Sequence, residues 1–143
     1  MQFFKRCVCL VVALLVTSAC ATTDSTYLQI VESIPPVPES QGRVFFYRAS
    51  REPKKIRPEI RVSGQVVGRA VPNCFFYVDR RPGSYSVTSK SDAGQSMSIN
   101  VRRAGVIYVR VDVKLTQVSW DLLLAIVPEK VALEEMKNTH YQL

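Results

Sequence analysis

The sequence predicts a mainly β protein: a small antiparallel β-sandwich of about seven or eight strands with a short C-terminal helix, behind a signal peptide and a flexible tether. Two observations carry this prediction. From Gly42 to Val113, short runs alternate apolar and polar residues with the period of half-buried strands. Turn residues such as Ser63-Gly64 and Pro82-Gly83 separate these runs. We therefore expect one domain over residues 42–143.

The first 19 residues are typical of a bacterial secretion signal. Lys5 and Arg6 give the start a positive charge, and residues 7–16 are uncharged but too short to span a bilayer. Thr17-Ser18-Ala19-Cys20 then resembles the lipobox, in which a peptidase cuts before a lipidated cysteine. We predict a lipoprotein signal over residues 1–19 and lipidation of Cys20. The alternative is an ordinary secretory signal with a cysteine nearby by chance.

Residues 20–41 are polar and rich in proline, which predicts a flexible tether between the lipid and the domain. Ala21, rather than an aspartate, follows Cys20. By resemblance to the enterobacterial sorting rule, this favours the outer membrane, with the domain facing the periplasm. The predicted location is the bacterial cell envelope, and the membrane is an expected partner through the lipid on Cys20.

The net charge indicates the class of partner, and the cysteine count indicates whether a disulfide can form. Removal of Lys5 and Arg6 with the signal lowers the net charge from +7 to +5, which suits anionic surfaces such as lipid headgroups or lipopolysaccharide. Nucleic acid is not expected as a partner of an exported, lipid-tethered chain. Cys74 is then the one cysteine besides Cys20, so no intramolecular disulfide is expected. Its apolar neighbours predict a small buried hydrophobe.

The secondary structure elements follow in order from residue 42. The predicted strands, each with one dry and one wet face, are residues 43–48, 59–62, 65–68, 74–79, 84–89, 96–101 and 106–113. Residues 118–127 are apolar on both faces, which fits a buried strand or a short core helix; we favour the strand. Pro128 begins a predicted helix over 128–138, and residues 138–143 are expected to form a frayed tail.

Three strings resemble a known family. They are GRVFFYRAS from Gly42, IRVSGQVVGRAVPNCFFYVDRRPGSYSV from Ile60 and GVIYVRVDV from Gly105. Over about Gly42 to Pro128, their order resembles bacterial lipoproteins with the domain of unknown function 2846. The shared features are an opening Tyr-Arg strand, a hairpin, an aromatic strand, a P-G-x-Y turn and a late tyrosine-containing strand. The hairpin and P-G-x-Y portion also resembles PEGA-type domains. The resemblance implies a small β fold in the envelope, and it implies no catalytic residue or ligand.

No pattern of catalytic or metal-binding residues emerges. His140 is the only histidine and lies near the C-terminus, whereas a hydrolase needs a base beside its nucleophile. The string GQSMS from Gly94 lacks the closing glycine of a nucleophile elbow. One cysteine and one histidine do not make a zinc cluster, and Glu134 and Glu135 are predicted to point apart on a helix. We expect no cofactor, no metal and no enzymatic activity.

Two arginine pairs are the most suggestive charged residues. If the strands form a simple antiparallel succession, Arg80-Arg81 and Arg102-Arg103 lie at one end of the domain, where the first strand begins and the tether from Cys20 enters. These four residues are therefore candidate contacts with anionic headgroups. The alternative is that they only keep the domain soluble. The basic residues of 51–57 would lie at the opposite end, available to a partner.

Aromatic residues on both faces of a strand offer a second candidate surface. Phe45 and Tyr47 lie opposite Val44 and Phe46, so one set is expected in the core and the other outward or under the C-terminal segment. An uncovered set would suit glycan stacking or pairing with a partner. We predict a non-enzymatic accessory lipoprotein that docks on another envelope component. The alternative is a binding module for an anionic or glycan ligand.

Overall fold

The computed structural model describes residues 25–89 and 95–143. The predicted signal over residues 1–19, the predicted lipidation site Cys20 and the first part of the predicted tether lie outside the described residues. Within the described part, the protein is mainly β, with nine strands and two short α-helices, which confirms the predicted fold class.

The strands pack as two sheets, face to face. Their bounds are β1 Gly42–Arg48, β2 Glu59–Val62, β3 Gln65–Arg69, β4 Cys74–Arg80, β5 Gly83–Ser89, β6 Met97–Val101, β7 Val106–Leu115, β8 Trp120–Val127 and β9 His140–Tyr141. The first sheet has five strands in the order β8-β7-β1-β4-β9, and the second has four in the order β3-β2-β5-β6. Inward-facing side chains of both sheets form the core of the sandwich.

The topology departs from the simple antiparallel succession assumed from the sequence. β1 pairs antiparallel with β4 but parallel with β7, and β4 pairs parallel with β9, so the first sheet is mixed. After β1 the chain leaves this sheet to build the β2–β3 hairpin in the second sheet, and then returns as β4. Alternation along a strand identifies which side chains share a face, but it does not identify the neighbouring strands. The passage of the chain between the two sheets could therefore not be predicted from the sequence pattern.

Two hydrophobic cores lie on either side of the first sheet. Between the sheets, the inner core includes Val44, Phe46, Ile60, Phe76, Val87, Ile99, Val109 and Leu122. On the other face, the outer core consists of Tyr27, Phe45, Tyr47, Phe75, Tyr108, Val127, Ala132 and Met136. β1 is therefore buried at every position, which corrects the prediction of one wet face for each strand.

The second half of the predicted tether is part of the folded domain. Tyr27–Ile30 forms helix α1, and Val31–Ser33 continues as a 3-10 turn. The buried ring of Tyr27 packs edge-on against Phe75, with 5.3 Å between the ring centroids. This finding corrects the prediction of a free tether over all of residues 20–41, because the apolar patch at its centre covers the outer core.

The C-terminal segment covers the rest of the outer face. Trp120–Val127 is the strand that we favoured, and the predicted helix is present as α2, Glu129–Met136. The tail predicted to fray instead contains β9, in which His140 and Tyr141 pair parallel with the start of β4. Its order is explained by packing, because the Tyr141 ring lies 5.3 Å from that of Phe75.

Candidate functional site

The strand register defines two ends of the sandwich. At the Gly42 end, β1 begins opposite Arg80, the last residue of β4, and beside the start of β7. At the Arg48 end, β1 finishes opposite Cys74, the first residue of β4. Tyr47 is level with Arg110 of β7, which continues from there to Leu115, so the β7–β8 hairpin projects beyond the Arg48 end.

The structure brings the four predicted arginines together at the Gly42 end. Arg80 lies opposite Gly42, and a Cβ on Gly42 would clash with the carbonyl group of Arg102. Arg81, Arg102 and Arg103 are exposed to solvent. None of the four forms an ion pair within the described residues, and Arg80 and Arg103 donate hydrogen bonds only to backbone carbonyl groups there. The observed strand register brings the four arginines together. The simple antiparallel succession of strands assumed from the sequence predicted the same clustering but is not the observed topology.

The chain does not enter the domain beside these arginines. Thr26 forms a β-bridge with His140, which itself pairs with Cys74 at the start of β4. The segment that follows crosses the outer face of the first sheet before it reaches Gly42. The premise that the tether enters at the Gly42 end is therefore wrong for the described residues. Contact of the arginines with lipid headgroups stays a prediction.

A buried guanidinium organises the Arg48 end. The fully buried Arg48 donates hydrogen bonds to the backbone carbonyl oxygens of Ile56 at 2.6 Å, Pro53 at 2.9 Å and Ala70 at 3.1 Å. It forms no ion pair with any described carboxylate, and burial lowers the pKa of this guanidinium from its ordinary value. Arginine nevertheless stays charged in proteins. This cation therefore holds residues 51–58, the basic loop, against the sandwich.

The basic loop places cations around a shallow cavity. The cavity has a volume of about 260 Å³ and is lined by Arg51, Lys54, Arg57, Val71, Pro72 and Asn73. Arg51 and Arg57 form no ion pair with a described carboxylate, and Lys54 approaches only the exposed Glu52, at 3.7 Å. Cations in excess over carboxylates favour anionic groups, so this cavity is a candidate site for phosphate or carboxylate.

Polar contacts on the outer face attach the covering segments to the sheet. The Tyr47 hydroxyl donates to Glu135 Oε2 of α2 at 2.5 Å, and Arg110 Nη1 donates to Glu135 Oε1 at 3.0 Å. Burial raises the pKa of Tyr47, and its hydrogen bond to Glu135 raises the pKa further. The neutral phenol is the hydrogen-bond donor to the Glu135 carboxylate. These groups are therefore arranged to hold α2 in place.

The aromatic residues considered for glycan stacking are covered. Phe45 stacks on Tyr108 with 5.3 Å between the ring centroids, and Tyr77 stacks on Tyr141 at 5.9 Å. α1, α2 and β9 pack over this set of rings, which confirms the expectation that the C-terminal segment covers the outward set. A sugar needs an exposed ring face for stacking, and the buried Phe45 offers none.

Exposed apolar side chains lie at the Gly42 end of β7 and of β8, the strand that ends the first sheet. The exposed fractions are 40% for Val106 at the start of β7 and 55% for Ile126 near the end of β8, and we call these two residues the β8 edge patch. Leu123 of β8 is 38% exposed, but it is level with Asp112 at the Arg48 end. Two cavities of about 410 and 360 Å³ share Val106 and Ile126, and the second extends to Arg102 at the Gly42 end. An apolar edge with adjoining grooves is a typical feature of a protein-docking surface.

The histidine and the cysteine of the described chain, His140 and Cys74, are register partners on β9 and β4. His140 donates its backbone N–H to the Asn73 carbonyl at 2.9 Å, and Cys74 is half-buried with a pKa raised by burial. Residues 25–89 and 95–143 contain no group of three His, Cys, Asp or Glu side chains that would hold a metal ion. Across the same residues, no helix has the length and apolar character needed to cross a membrane.

A family model described as "Protein of unknown function (DUF2846)" matches residues 38–121. This chain belongs to the DUF2846 family. The match runs from just before β1 to the start of β8, and it confirms the resemblance carried by the three sequence strings. A search of curated proteins finds no match.

Two structurally important arginines were missed at the sequence level. Arg43 shares a face of β1 with Phe45, and Arg48 shares the opposite face with Val44 and Phe46. Their positions in the alternating pattern of β1 could have predicted their burial. A charged residue that shares a strand face with buried apolar residues points into the same core. The β8 edge patch had no comparable signal, since strand order decides which strand is an edge.

Proposed function

We propose that this DUF2846 protein is a non-enzymatic lipoprotein of the bacterial envelope that docks on another envelope protein through the β8 edge patch. The observation that carries the proposal is the position of β8, which ends the first sheet, runs for eight residues and exposes Ile126 beside Val106 of β7. An extended segment of the partner would hydrogen-bond to this edge, which no described strand pairs with, and cover these apolar side chains.

The composition of β8 supports the choice of this edge. Natural edge strands usually carry charges that discourage pairing, but β8 has a single charged residue, Asp121, near its start. The opposite edge of the same sheet is only two residues long and is flanked by the bridge from Thr26. The Gln95 side chain accepts a hydrogen bond from the Leu124 N–H at 3.2 Å, and a docking segment would replace this contact.

The lipid anchor of this proposal is Cys20. The positive start, the uncharged run over residues 7–16 and the lipobox-like sequence before Cys20 support it. Mass spectrometry of the protein purified from bacterial membranes provides the test. We expect the mature chain to begin at Cys20 with a diacylglycerol on its sulfur. A mature chain that begins elsewhere, or that carries no lipid, would overturn the anchor.

The docking surface is tested by cross-linking in intact cells, followed by affinity purification. Ile126→Lys places a charge in the β8 edge patch, and Val66→Lys is the matched control, because Val66 is an exposed valine on β3 at the edge of the second sheet. We expect a stoichiometric partner with the parent protein and with Val66→Lys, and its loss with Ile126→Lys. Recovery of the uncross-linked monomer alone from the parent would contradict the proposal.

A second candidate function is the binding of an anionic ligand. The cavity of about 260 Å³ bordered by Arg51, Lys54 and Arg57 supports it. Glycan recognition by aromatic stacking receives less support, because the rings on the outer face are covered. This candidate predicts salt-sensitive binding to vesicles that contain anionic lipid, and binding that is indifferent to salt would count against it.

A further inference from the structure

We infer that the Arg48 end of the domain is its membrane-facing surface, where the basic loop and the tip of the β7–β8 hairpin contact anionic lipid headgroups. The orientation rests on the proposed lipid at Cys20, and it specifies a contact that the lipid alone does not provide. Three independent features of this end support it: the position of the first described residues, the charge of the basic loop and the exposed apolar tip of the hairpin.

The first feature is the length of chain available to the lipid. Ser25 is the fifth residue after Cys20, and five residue steps span at most about 18 Å when fully extended. Ser25 accepts a hydrogen bond from the N–H of Tyr141, which is level with Phe75 near the start of β4. From there to Arg80, β4 spans about 17 Å. Cys20 therefore reaches the level of Arg80 only if the connection runs straight along the sheet, whereas the opposite end is within easy reach.

The second feature is charge. The basic loop carries four cations, Arg51, Lys54, Lys55 and Arg57, against one carboxylate, Glu52. All four cations belong to exposed residues, and the carbonyl contacts of the buried Arg48 fix the loop that carries them. Basic side chains attract an anionic bilayer when they lie within about a Debye length, roughly 8 Å, of its surface.

The third feature is the tip of the β7–β8 hairpin, which projects from the same end. Leu115 is 59% exposed and Val118 is 96% exposed, so neither side chain is used in packing the domain. The tip is closed by two hydrogen bonds of 2.9 Å between Thr116 and Ser119, which present Val118 outward. Exposed apolar side chains beside cations are the combination that enters the interfacial region of a bilayer.

This orientation also relates the two proposed surfaces. With the Arg48 end on the bilayer, the Gly42 end with its four arginines faces away from the membrane. This orientation is therefore the alternative to the headgroup contact predicted for those arginines from the sequence. The cavities beside Val106 and Ile126 lie at that end, so a partner in the aqueous space can reach them. Membrane contact and protein docking thus use opposite ends of one sandwich and can be tested separately.

The charge contribution is measured with the mature chain from residue 20 carrying Cys20→Ala, which bears neither the signal nor the lipid, and vesicles of phosphatidylcholine with or without phosphatidylglycerol. We expect binding only to the anionic vesicles. Lys54→Gln/Lys55→Gln should weaken the binding about 25-fold, since each basic residue near the surface contributes about fivefold. The matched control, Arg81→Gln/Arg102→Gln, has the same net charge and should change it by less than about twofold.

Equal binding of the lysine variant and its parent would overturn the inference, and so would an equal loss in the arginine control. Because this protein lacks the lipid, such a result would leave the lipid anchor itself untouched. Failure of the anchor would be detected separately, by the mass of the mature chain. Loss of partner docking would be detected in cells with Ile126→Lys, which alters neither the basic loop nor the hairpin tip.

The orientation of the lipidated protein is measured through Trp120, the only tryptophan of the chain. Trp120 pairs with Leu115 at the base of the hairpin tip, so its fluorescence reports on the Arg48 end. In anionic vesicles containing brominated lipids, which quench over short distances, we expect quenching that Val118→Ser diminishes. Unquenched Trp120 in vesicle-bound protein would overturn the inference.

Discussion

Arg43 and Asp79 form a two-point salt bridge across β1 and β4, with Nε–Oδ1 at 2.7 Å and Nη2–Oδ2 at 2.8 Å. The remaining nitrogen, Nη1, donates to the Pro35 carbonyl at 2.5 Å, and the guanidinium lies 4.2 Å from the centroid of the Tyr77 ring. The hydrogen bond to Asp79 raises the pKa of the Arg43 guanidinium above its ordinary value. One side chain thereby joins two strands to the segment that precedes them.

Asp79→Ala should destabilise the protein strongly. It leaves the Arg43 guanidinium, which is 4% exposed, without its carboxylate, and removal of one partner of a buried pair costs about 3 kcal/mol. The free energy of unfolding from urea titration measures this loss. Glu52→Ala is the control, because Glu52 pairs with Lys54 in the open and should contribute less than about 0.5 kcal/mol. Similar losses in the two variants would contradict the role of the Arg43–Asp79 pair.

Arg48→Met should release the basic loop. The variant removes the cation that binds the carbonyl groups of Pro53, Ile56 and Ala70, and charge-assisted hydrogen bonds contribute about 1.5–3 kcal/mol each. Trypsin should then cleave after Lys54 or Lys55 at least about tenfold faster, since proteolysis follows the population of the open loop and the loss of even one such bond shifts that population by about this factor.

Arg69→Met is the control for this cleavage experiment, because Arg69 is largely exposed and lies on the neighbouring β3. It should leave the cleavage rate of the loop unchanged. If the two variants were cleaved at the same rate, the buried guanidinium would not be what holds the loop.

Stability should decline above about pH 10. Burial raises the pKa of Tyr47 and Tyr108 well above the unfolded value of 10.0, so the folded state disfavours the phenolate that the unfolded state accepts. The stabilising contribution is complete below the unfolded pKa and is lost as pH rises toward the folded one. Above the unfolded pKa, each tyrosine lowers the free energy of unfolding by up to about 1.4 kcal/mol per pH unit.

Tyr47→Phe removes one of these titrating groups and should therefore make the alkaline decline shallower. The measurement is urea unfolding at a series of pH values from about 8 to 11.5, a range that extends to either side of the ordinary pKa of tyrosine. At neutral pH the variant should also lose the hydrogen bond to Glu135, which contributes about 1.5–3 kcal/mol. An unchanged alkaline slope would show that Tyr47 ionises equally readily in both states.

Gly68→Ala should strain the inner core. A Cβ at Gly68 would lie 2.7 Å from Cζ of Phe76, whose ring stacks on Phe46 with 5.2 Å between centroids. Overpacking of this kind costs about 1–3 kcal/mol. Thermal and urea unfolding measure the effect, and Gln65→Ala, an exposed change on the same strand, provides the comparison. A fully stable Gly68→Ala protein would mean that the Phe76 ring moves aside without cost.

Local patterns predicted most elements, because the faces of a strand and the turn residues are encoded within a few positions. The hairpin at Ser63-Gly64 needs positive φ angles, observed as 48° and 83°, and its glycine marked the turn. The parallel pairing of β1 with β7 could not be predicted this way, since it joins Arg43 to Val106 across two intervening hairpins. The order of Tyr27–Ile30 depends in the same way on an outer core assembled from distant strands.

For the candidate sites, too, the features encoded in local sequence patterns could be predicted, and those that depend on the arrangement of distant strands could not. The four arginines were identifiable from their turns, and the register brings them to one end of the sandwich. Which end lies nearer to the proposed anchor depends on the path of the chain before Gly42, and alternation carries no information about that path. The buried roles of Arg43 and Arg48 were encoded in their phase along β1. The edge position of β8 required the complete strand order.

Site-specific photo-cross-linking in intact cells tests whether the β8 edge patch docks on another envelope protein. A photoreactive amino acid replaces Ile126 in one strain and the exposed Val66 in another. We expect one discrete protein adduct from position 126, none from position 66, and loss of the adduct when Cys20→Ala removes the proposed anchor. Absence of an adduct at position 126, or the same adduct from both positions, would contradict the proposed docking.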